Sequence, residues 1–124
     1  MPRTTSENRR LLVADDDHDS ADSLAMVLRL EGYETYTAYD GKVALERARR
    51  LRPHIVILDL DMPLLNGAEV AQTLRRDRRD YVLILLTASP PWVRAELGQD
   101  RFDMEMEKPL DVEGFVRTLR RFHG

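Results

Sequence analysis

Four stretches of this chain end in residues able to handle a phosphoryl group and a divalent cation. An apolar run at residues 11–14 (LLVA) stops at Asp15, Asp16 and Asp17. A second, residues 55–58 (IVIL), stops at Asp59, with Asp61 two residues on. A third, residues 81–86 (YVLILL), stops at Thr87, and a weaker fourth from Phe102 leads to Glu107, Lys108 and Pro109. Carboxylates gathered in one place repel each other, and at close range one keeps its proton unless a cation intervenes. A hard ion with oxygen ligands relieves the repulsion. Mg²⁺ is the usual choice, favouring one or two carboxylates, waters and a phosphate oxygen. A lysine ammonium and a threonine hydroxyl beside it offer charge and a donor to phosphoryl oxygens. Asp59 is then the nucleophile, since a carboxylate can form an acyl phosphate. The chemistry is phosphoryl transfer to an aspartate, with metal and lysine neutralising charge in the transition state.

For these groups to meet, the chain must bring four run ends together. Its patterning does so. The run at 10–15 reads as a buried strand. Ala21, Leu24, Ala25 and Leu28 then recur at helical spacing, with Gly32 as the residue past the helix end. Residues 33–38 are β-branched and aromatic, hence a strand. Val43, Ala44, Ala48 and Leu51 give a second helix, stopped at Arg52-Pro53. Residues 55–58 form a central strand covered on both faces, and residues 68–76 a helix with Val70, Ala71 and Leu74 on one side. Residues 81–86 are again a fully apolar strand. A short helix at best is expected over 92–97, because Pro90-Pro91 delays its start. A weak strand follows at 102–106. The closing helix at 111–122 turns Phe115, Val116, Leu119 and Phe122 inward. Alternating βα units imply an α/β, doubly wound parallel sheet with helices on both faces. Such sheets bind ligands outside the carboxyl ends of their strands, where the four groups sit.

Composition narrows the choices. The 124 residues suit a single domain, and 43% apolar content supplies a core. With 33% charged residues but a net charge of only −3, no strong field points to nucleic acid or anionic lipid. Neither a nucleic-acid nor a membrane partner is expected. The absence of cysteine excludes disulfides, thiolate metal sites and cysteine nucleophiles. No apolar run approaches the roughly 18 residues of a membrane span. The polar N-terminus lacks a signal-peptide core. A cytoplasmic protein is expected, with residues 1–8 as a loosely ordered tail and 9–124 as the domain.

Taken singly, each piece has a plainer reading. Asp17 or Asp19 suits a helix N-cap, Asp59 a loop acid, Thr87 a strand residue, and Lys108 an exposed side chain. It is their order, at the ends of strands one, three, four and five, that favours the phosphoryl site. The motifs LLVADDD (11–17), VILDLDMPLLNG (56–67), LLTAS (85–89) and EKPLD (107–111) resemble the receiver domain of bacterial response regulators. The likeness runs from about Arg10 to Phe122. It implies the flavodoxin-like (βα)5 fold, with a five-stranded sheet in order 2-1-3-4-5. It also implies Asp59 as phosphoacceptor, Asp16 as a direct Mg²⁺ ligand, Asp15 as a water-mediated one, and the backbone carbonyl of Asp61 as a third. Mn²⁺ is an acceptable substitute. Thr87 is implied as the switch hydroxyl, Lys108 as the salt-bridging lysine, and Lys108-Pro109 as a cis bond. Gly67 is implied at a sharp turn needing φ > 0. The partners implied are a histidine kinase or histidine phosphotransfer domain and a downstream protein, with the chain a monomer or weak dimer. The protein is thus a signalling phosphoacceptor rather than an enzyme with turnover. Asp61 and Ser89 flank the site where family members tune acyl-phosphate lifetime, and an acid at 61 implies turnover that is not exceptionally slow.

Three positions depart from the family. Glu105 stands where an aromatic or histidine is usual, Pro90-Pro91 lead into an abbreviated helix, and Arg101 replaces a common glycine. All lie on the usual output side, so ordinary phosphorylation with an unusual readout is expected. Two rivals are weighed. A haloacid-dehalogenase-type, Mg²⁺-dependent phosphatase shares Asp59-Leu60-Asp61, but its further acids follow that motif instead of preceding it. A pseudo-receiver lacks the acceptor, the acids or the lysine, all present here. The arginine clusters at 47–52, 75–79 and 117–121 read as solvated helix C-termini ahead of a nucleic-acid surface. His18 reads as a solvated loop residue ahead of a contact for a phosphodonor.

Overall fold

The computed structural model describes residues 9–78, 80–88 and 102–121. The tail at 1–8, the short helix expected at 92–97, Ser89, Pro90-Pro91, Arg101 and Phe122 lie outside the described residues.

Five strands, β1 (Arg10–Ala14), β2 (Glu34–Ala38), β3 (Ile55–Asp59), β4 (Val82–Thr87) and β5 (Met104–Glu107), form one sheet in the order β2-β1-β3-β4-β5. Every pairing is parallel. Four helices are described: α1 (His18–Leu30), α2 (Gly41–Leu51), α3 (Gly67–Asp77) and α4 (Val112–Arg120). The expected fold and strand order are both present. The runs of β1, β3 and β4 lack alternation because both of their faces are covered. Leu11 and Val13, Ile55 and Ile57, and Ile84 and Leu86 face one core with Leu24 and Leu28 of α1 and Phe115 and Leu119 of α4. Their neighbours Leu12, Val56, Leu58 and Leu83 face a second core with Ala44 and Ala48 of α2 and Val70 and Leu74 of α3. β5 at the margin is different, with three half-buried residues and an exposed fourth.

Local chemistry sets the helix ends. Asp17 caps α1, accepting from Asp19 N and Ser20 Oγ, as one of the plainer readings held. Gly32 takes φ 101° just past that helix, where only a residue without a side chain is at ease. Asp40 caps α2 through Val43 N at 2.8 Å. Asn66 and Glu69 form a reciprocal capping box at the start of α3, satisfying two otherwise orphaned N–H groups. Lys108-Pro109 is cis, as the resemblance implied.

Gly67 corrects an expectation. Positive φ falls on Leu64 (73°) in the β3–α3 loop and not on Gly67. There Leu65 N donates to Pro63 O at 2.9 Å, closing a three-residue turn across Leu64. Gly67 is needed for space, since an added Cβ would lie 2.5 Å from the carbonyl oxygen of Asp59. Gly41 is tighter still, its added Cβ falling 1.8 Å from Leu65 O. Two glycines thus let the β3–α3 loop press against the end of β3 and the start of α2.

Gly41→Ala gains helix propensity of about 1 kcal/mol but forces the Leu65 backbone aside, an overpacking cost of about 1–3 kcal/mol or more. Net destabilisation of about 2 kcal/mol is expected in urea denaturation. Gly114→Ala, whose methyl meets the end of the Asp111 side chain, is expected to be neutral or stabilising. Equal midpoints for the two variants would contradict the close packing at Gly41.

Candidate functional site

The strand order changes direction between β1 and β3, since β2 lies on one side of β1 and β3, β4 and β5 on the other. Crevices form at such points, outside the carboxyl ends of the strands. Asp15 follows β1 directly and Asp59 is the last residue of β3. The backbone fixes both. Asp15 N donates to Ala38 O at 3.0 Å, and Leu60 N donates to Leu86 O at 3.0 Å. Oxygens of Asp15, Asp16 and Asp59 lie within 4.8 Å of one another. Asp15 and Asp59 are buried and Asp16 is exposed. One oxygen of Asp15 also accepts from Asp17 N at 3.0 Å, which orients the carboxylate within the acidic turn.

Lys108 reaches this cluster from the end of β5. Its Nζ lies 3.1 Å from Asp59 Oδ1 and 3.3 Å from Asp15 Oδ2. Lys108 N donates to Thr87 O at 2.9 Å, so the backbone of the lysine is tied to the end of β4. Thr87 itself is fully buried. Asp61 is exposed at the start of the β3–α3 loop. The sequence-expected residues Asp15, Asp16, Asp59, Thr87 and Lys108 therefore share one edge, and Asp61 borders it.

The electrostatics match the crowding. The Asp59 carboxyl is raised to about 6: burial pushes it up most, the Lys108 bond offsets part of that, and the Asp15 charge adds to it. For Lys108, burial works against the ammonium. The bond and charge of Asp59, with those of Asp15, outweigh it and hold the pKa above the ordinary lysine value. A carboxyl held protonated toward neutral pH is a group short of positive charge. Three convergent carboxylates with one ammonium are an oxygen-donor set suited to a hard divalent cation.

The sequence left some positions near the site without a role. His18 stacks on Tyr39, with ring centroids 3.7 Å apart, and the Tyr39 hydroxyl donates to Asp22 Oδ1 at 2.6 Å. His18 is exposed but held by this stack, so the solvated-loop expectation is only partly right. Nothing in sequence spacing joins the start of α1 to the end of β2. Gly41 reads from the sequence only as the start of a helix, and nothing in the sequence marks Leu64. For Asn66 a signal existed, because Asn-x-x-Glu is the capping-box pattern.

Known proteins resemble this arrangement. The family model described as the response regulator receiver domain matches residues 11–120. The DNA-binding response regulator MtrA of Mycolicibacterium smegmatis is 41% identical over 91% of this chain and 51% of its own length. PhoP of Bacillus subtilis, a transcriptional regulatory protein of alkaline phosphatase synthesis, is 31% identical over 92% of this chain and 49% of its own length. This chain thus spans about half the length of these curated relatives. Among solved structures, the response regulator TrrA of Thermotoga maritima, in complex with Mg²⁺-BeF, superposes with a TM-score of 0.83 at 33% identity, covering 91% of this chain and 97% of that one. A CheY-like receiver domain from Methanospirillum hungatei superposes at 0.86 with 21% identity over 92% of each chain, a likeness of fold.

One expectation falls here, that nucleic acid plays no part. MtrA is a DNA-binding regulator by name and aligns over nearly all of this chain. The net charge of −3 describes these 124 residues, and it is silent on the half of such relatives that lies outside the alignment. Of the membrane expectation, no helix among the described residues is long and apolar enough to span a bilayer.

The raised Asp59 pKa makes a signed prediction for metal-free buffer. Folded Asp59 holds its proton to about pH 6, whereas an ordinary aspartate loses it near 3.8. Its contribution to stability is full below about pH 4 and is lost as pH rises through about 6. Asp59→Asn is therefore expected to be more stable than the native chain at pH 7, by about 1–3 kcal/mol. That advantage shrinks toward pH 4. Urea denaturation of both proteins at the two pH values checks it, and a constant difference would refute the burial of a repelled charge.

Proposed function

Because the chain belongs to the response regulator receiver domain family, we propose that Asp59 accepts a phosphoryl group from a histidine kinase or histidine phosphotransfer protein and that the domain switches its contacts in response. The observation that carries this is the placement of Lys108 Nζ across Asp59 and Asp15, with Asp16 in the same cluster. It is the constellation of a phosphoryl-transfer site: nucleophile, cation-binding acids and a fixed ammonium.

An oxygen of Asp59 attacks the phosphorus of the donor. The new O–P bond forms as the P–N bond to the donor imidazole breaks, and the imidazole leaves with the bonding pair. Asp16 and, through water, Asp15 would hold Mg²⁺, or Mn²⁺ in its place, together with Asp59 and the backbone carbonyl of Asp61. An ion held there would supply positive charge to the three carboxylates and to the phosphoryl oxygens. Lys108 shifts from the free carboxylate to a phosphoryl oxygen. The Thr87 hydroxyl turns toward another, and its movement passes the change to β4 and β5. Self-catalysed hydrolysis returns Asp59 to its starting state, so this is a phosphoacceptor that resets and not a phosphatase acting on free monoesters. A pseudo-receiver is disfavoured because acceptor, acids and lysine are all present and gathered.

DNA binding, which the name of MtrA states of that relative, is proposed for this protein through a segment of the kind that lies outside the aligned half of MtrA. We assign it to the cytoplasm, where DNA and the phosphodonor are found. Glu105, whose residue pairs with Leu85 of β4, stands in the position of the usual coupling aromatic, and the readout is proposed to differ from that of ordinary receivers.

Incubation with acetyl phosphate and Mg²⁺ is expected to add one phosphoryl group by intact mass, and none to Asp59→Asn. Chelating the metal abolishes labelling. Lys108→Ala slows it on the order of 10²-fold, the usual effect of losing a transition-state donor. Equal labelling of native chain and Asp59→Asn would overturn the assignment.

A further inference from the structure

In a parallel sheet every strand begins on one edge, and the helices that follow the strands end there. Here the last turns of α1, α2, α3 and α4 all carry arginine. The acids of the phosphoryl site lie on the opposite edge. The segregation is sharpest where α2 and α3 end side by side. Arg49 Nε lies 2.7 Å from Asp77, an Arg78 nitrogen lies 2.7 Å from Asp80, and an Arg75 nitrogen lies 2.9 Å from Asp103. Each of these acids is held by one arginine at ion-pair distance, and the charge of Arg52 also acts on Asp80. Arg50, Arg52 and Arg76 are exposed and make no ion pair among the described residues.

Helix ends attract cations, but the magnitude falls short. Each helix terminus presents about half a negative charge, so two account for about one of the three surplus guanidiniums. Glu46, one turn back on exposed α2 surface, is the next acid. The surplus has a shape as well. Arg49, Arg52, Asp77, Arg78 and Tyr81 line an open concavity of about 410 Å³. Its floor is fixed, because the Tyr81 hydroxyl donates to Ala48 O at 3.2 Å and the Arg78 guanidinium sits 5.3 Å from the Tyr81 ring centroid. Arg52 is set at its rim by a left-handed backbone (φ 51°) and a hydrogen bond from its N–H to Ala48 O. His54, at the same edge, reports the field: its pKa is lowered by burial and by the charges of Arg9, Arg10 and Arg78, against the opposing charge of Asp80.

We propose that this edge is a sequence-independent contact for the phosphodiester backbone of nucleic acid, with Arg50, Arg52 and Arg76 as phosphate-binding residues. Guanidinium forks match phosphate oxygens two at a time, and backbone binding needs little besides charge. A protein interface would need an apolar centre. The exposed large apolar side chains among the described residues are Leu64 at the phosphoryl edge and Met26 and Leu30 on α1, which packs on the other face of the sheet from α2 and α3, so none lies beside Arg50, Arg52 and Arg76. The contact leaves Asp59 open, since it lies at the other end of the strands. It is also independent of the phosphorylation reading, because it is measured on the unphosphorylated chain.

The test is fluorescence anisotropy of a labelled random-sequence DNA duplex titrated with the 124-residue chain, starting at about 50 mM salt. Binding is expected, with a slope of about −3 in log affinity against log salt for three phosphate contacts. The triple variant Arg50→Gln, Arg52→Asn, Arg76→Gln is expected to bind at least about tenfold more weakly with unchanged thermal melting. Asparagine is used at 52 because it tolerates the left-handed backbone. Lys42→Gln, at the phosphoryl edge, is expected to leave binding unchanged. No binding by the native chain, equal binding by the triple variant, or equal weakening by Lys42→Gln would each overturn the proposal. So would competition by polyglutamate as strong as that by DNA at equal charge, which would reassign the edge to an acidic protein.

Discussion

Two carboxylates that should repel are buried within reach of one ammonium, and the rest of the structure serves that constraint. Asp15 and Asp59 sit at the ends of β1 and β3, adjacent strands locked by parallel hydrogen bonding. The sheet leaves them little freedom to move apart. Burial raises the Asp59 carboxyl most, the Asp15 charge adds to it and Lys108 offsets part of it, which leaves the group near 6. Such a site is incomplete without further positive charge. A divalent cation is the group whose charge and oxygen preference suit that need.

The tightness of the β3–α3 loop belongs to the same constraint. Leu64 holds a left-handed conformation that costs a non-glycine residue of order 1–3 kcal/mol. The loop is kept in place by Gly41 N donating to Pro63 O at 3.3 Å and Gly67 N donating to Leu60 O at 3.0 Å. The strain lies in the loop that follows Asp59, where the backbone carbonyl proposed for the metal must also be aimed.

Much of this was legible in the sequence, and the limits have physical causes. Runs buried on both faces announce themselves, so β1, β3 and β4 and the groups at their ends could be read directly. The resemblance carried by four motifs gave the strand order, which periodicity cannot. What stayed hidden depends on contacts between distant segments. Gly41 looks like an ordinary first helical residue until Leu65 is laid against it, and Gly67 was given the right importance for the wrong reason. The stack of His18 on Tyr39 has no spacing to betray it. The charge balance misled most, because a sum over 124 residues carries no information on the half of relatives such as MtrA that lies outside the alignment.

The thin fifth strand has its own bearing on how the site works. Asp15 directly follows β1 and Asp59 ends β3, strands whose apolar side chains are wholly enclosed, whereas Lys108 follows a four-residue margin strand with three half-buried residues and the exposed Glu107. Stiffness is therefore distributed unevenly around the cluster, with the anions set in the hard centre of the sheet and the cation mounted on its compliant rim. A change of charge at the centre is most easily answered by displacement at the rim, so the lysine is the part of the site placed to move first.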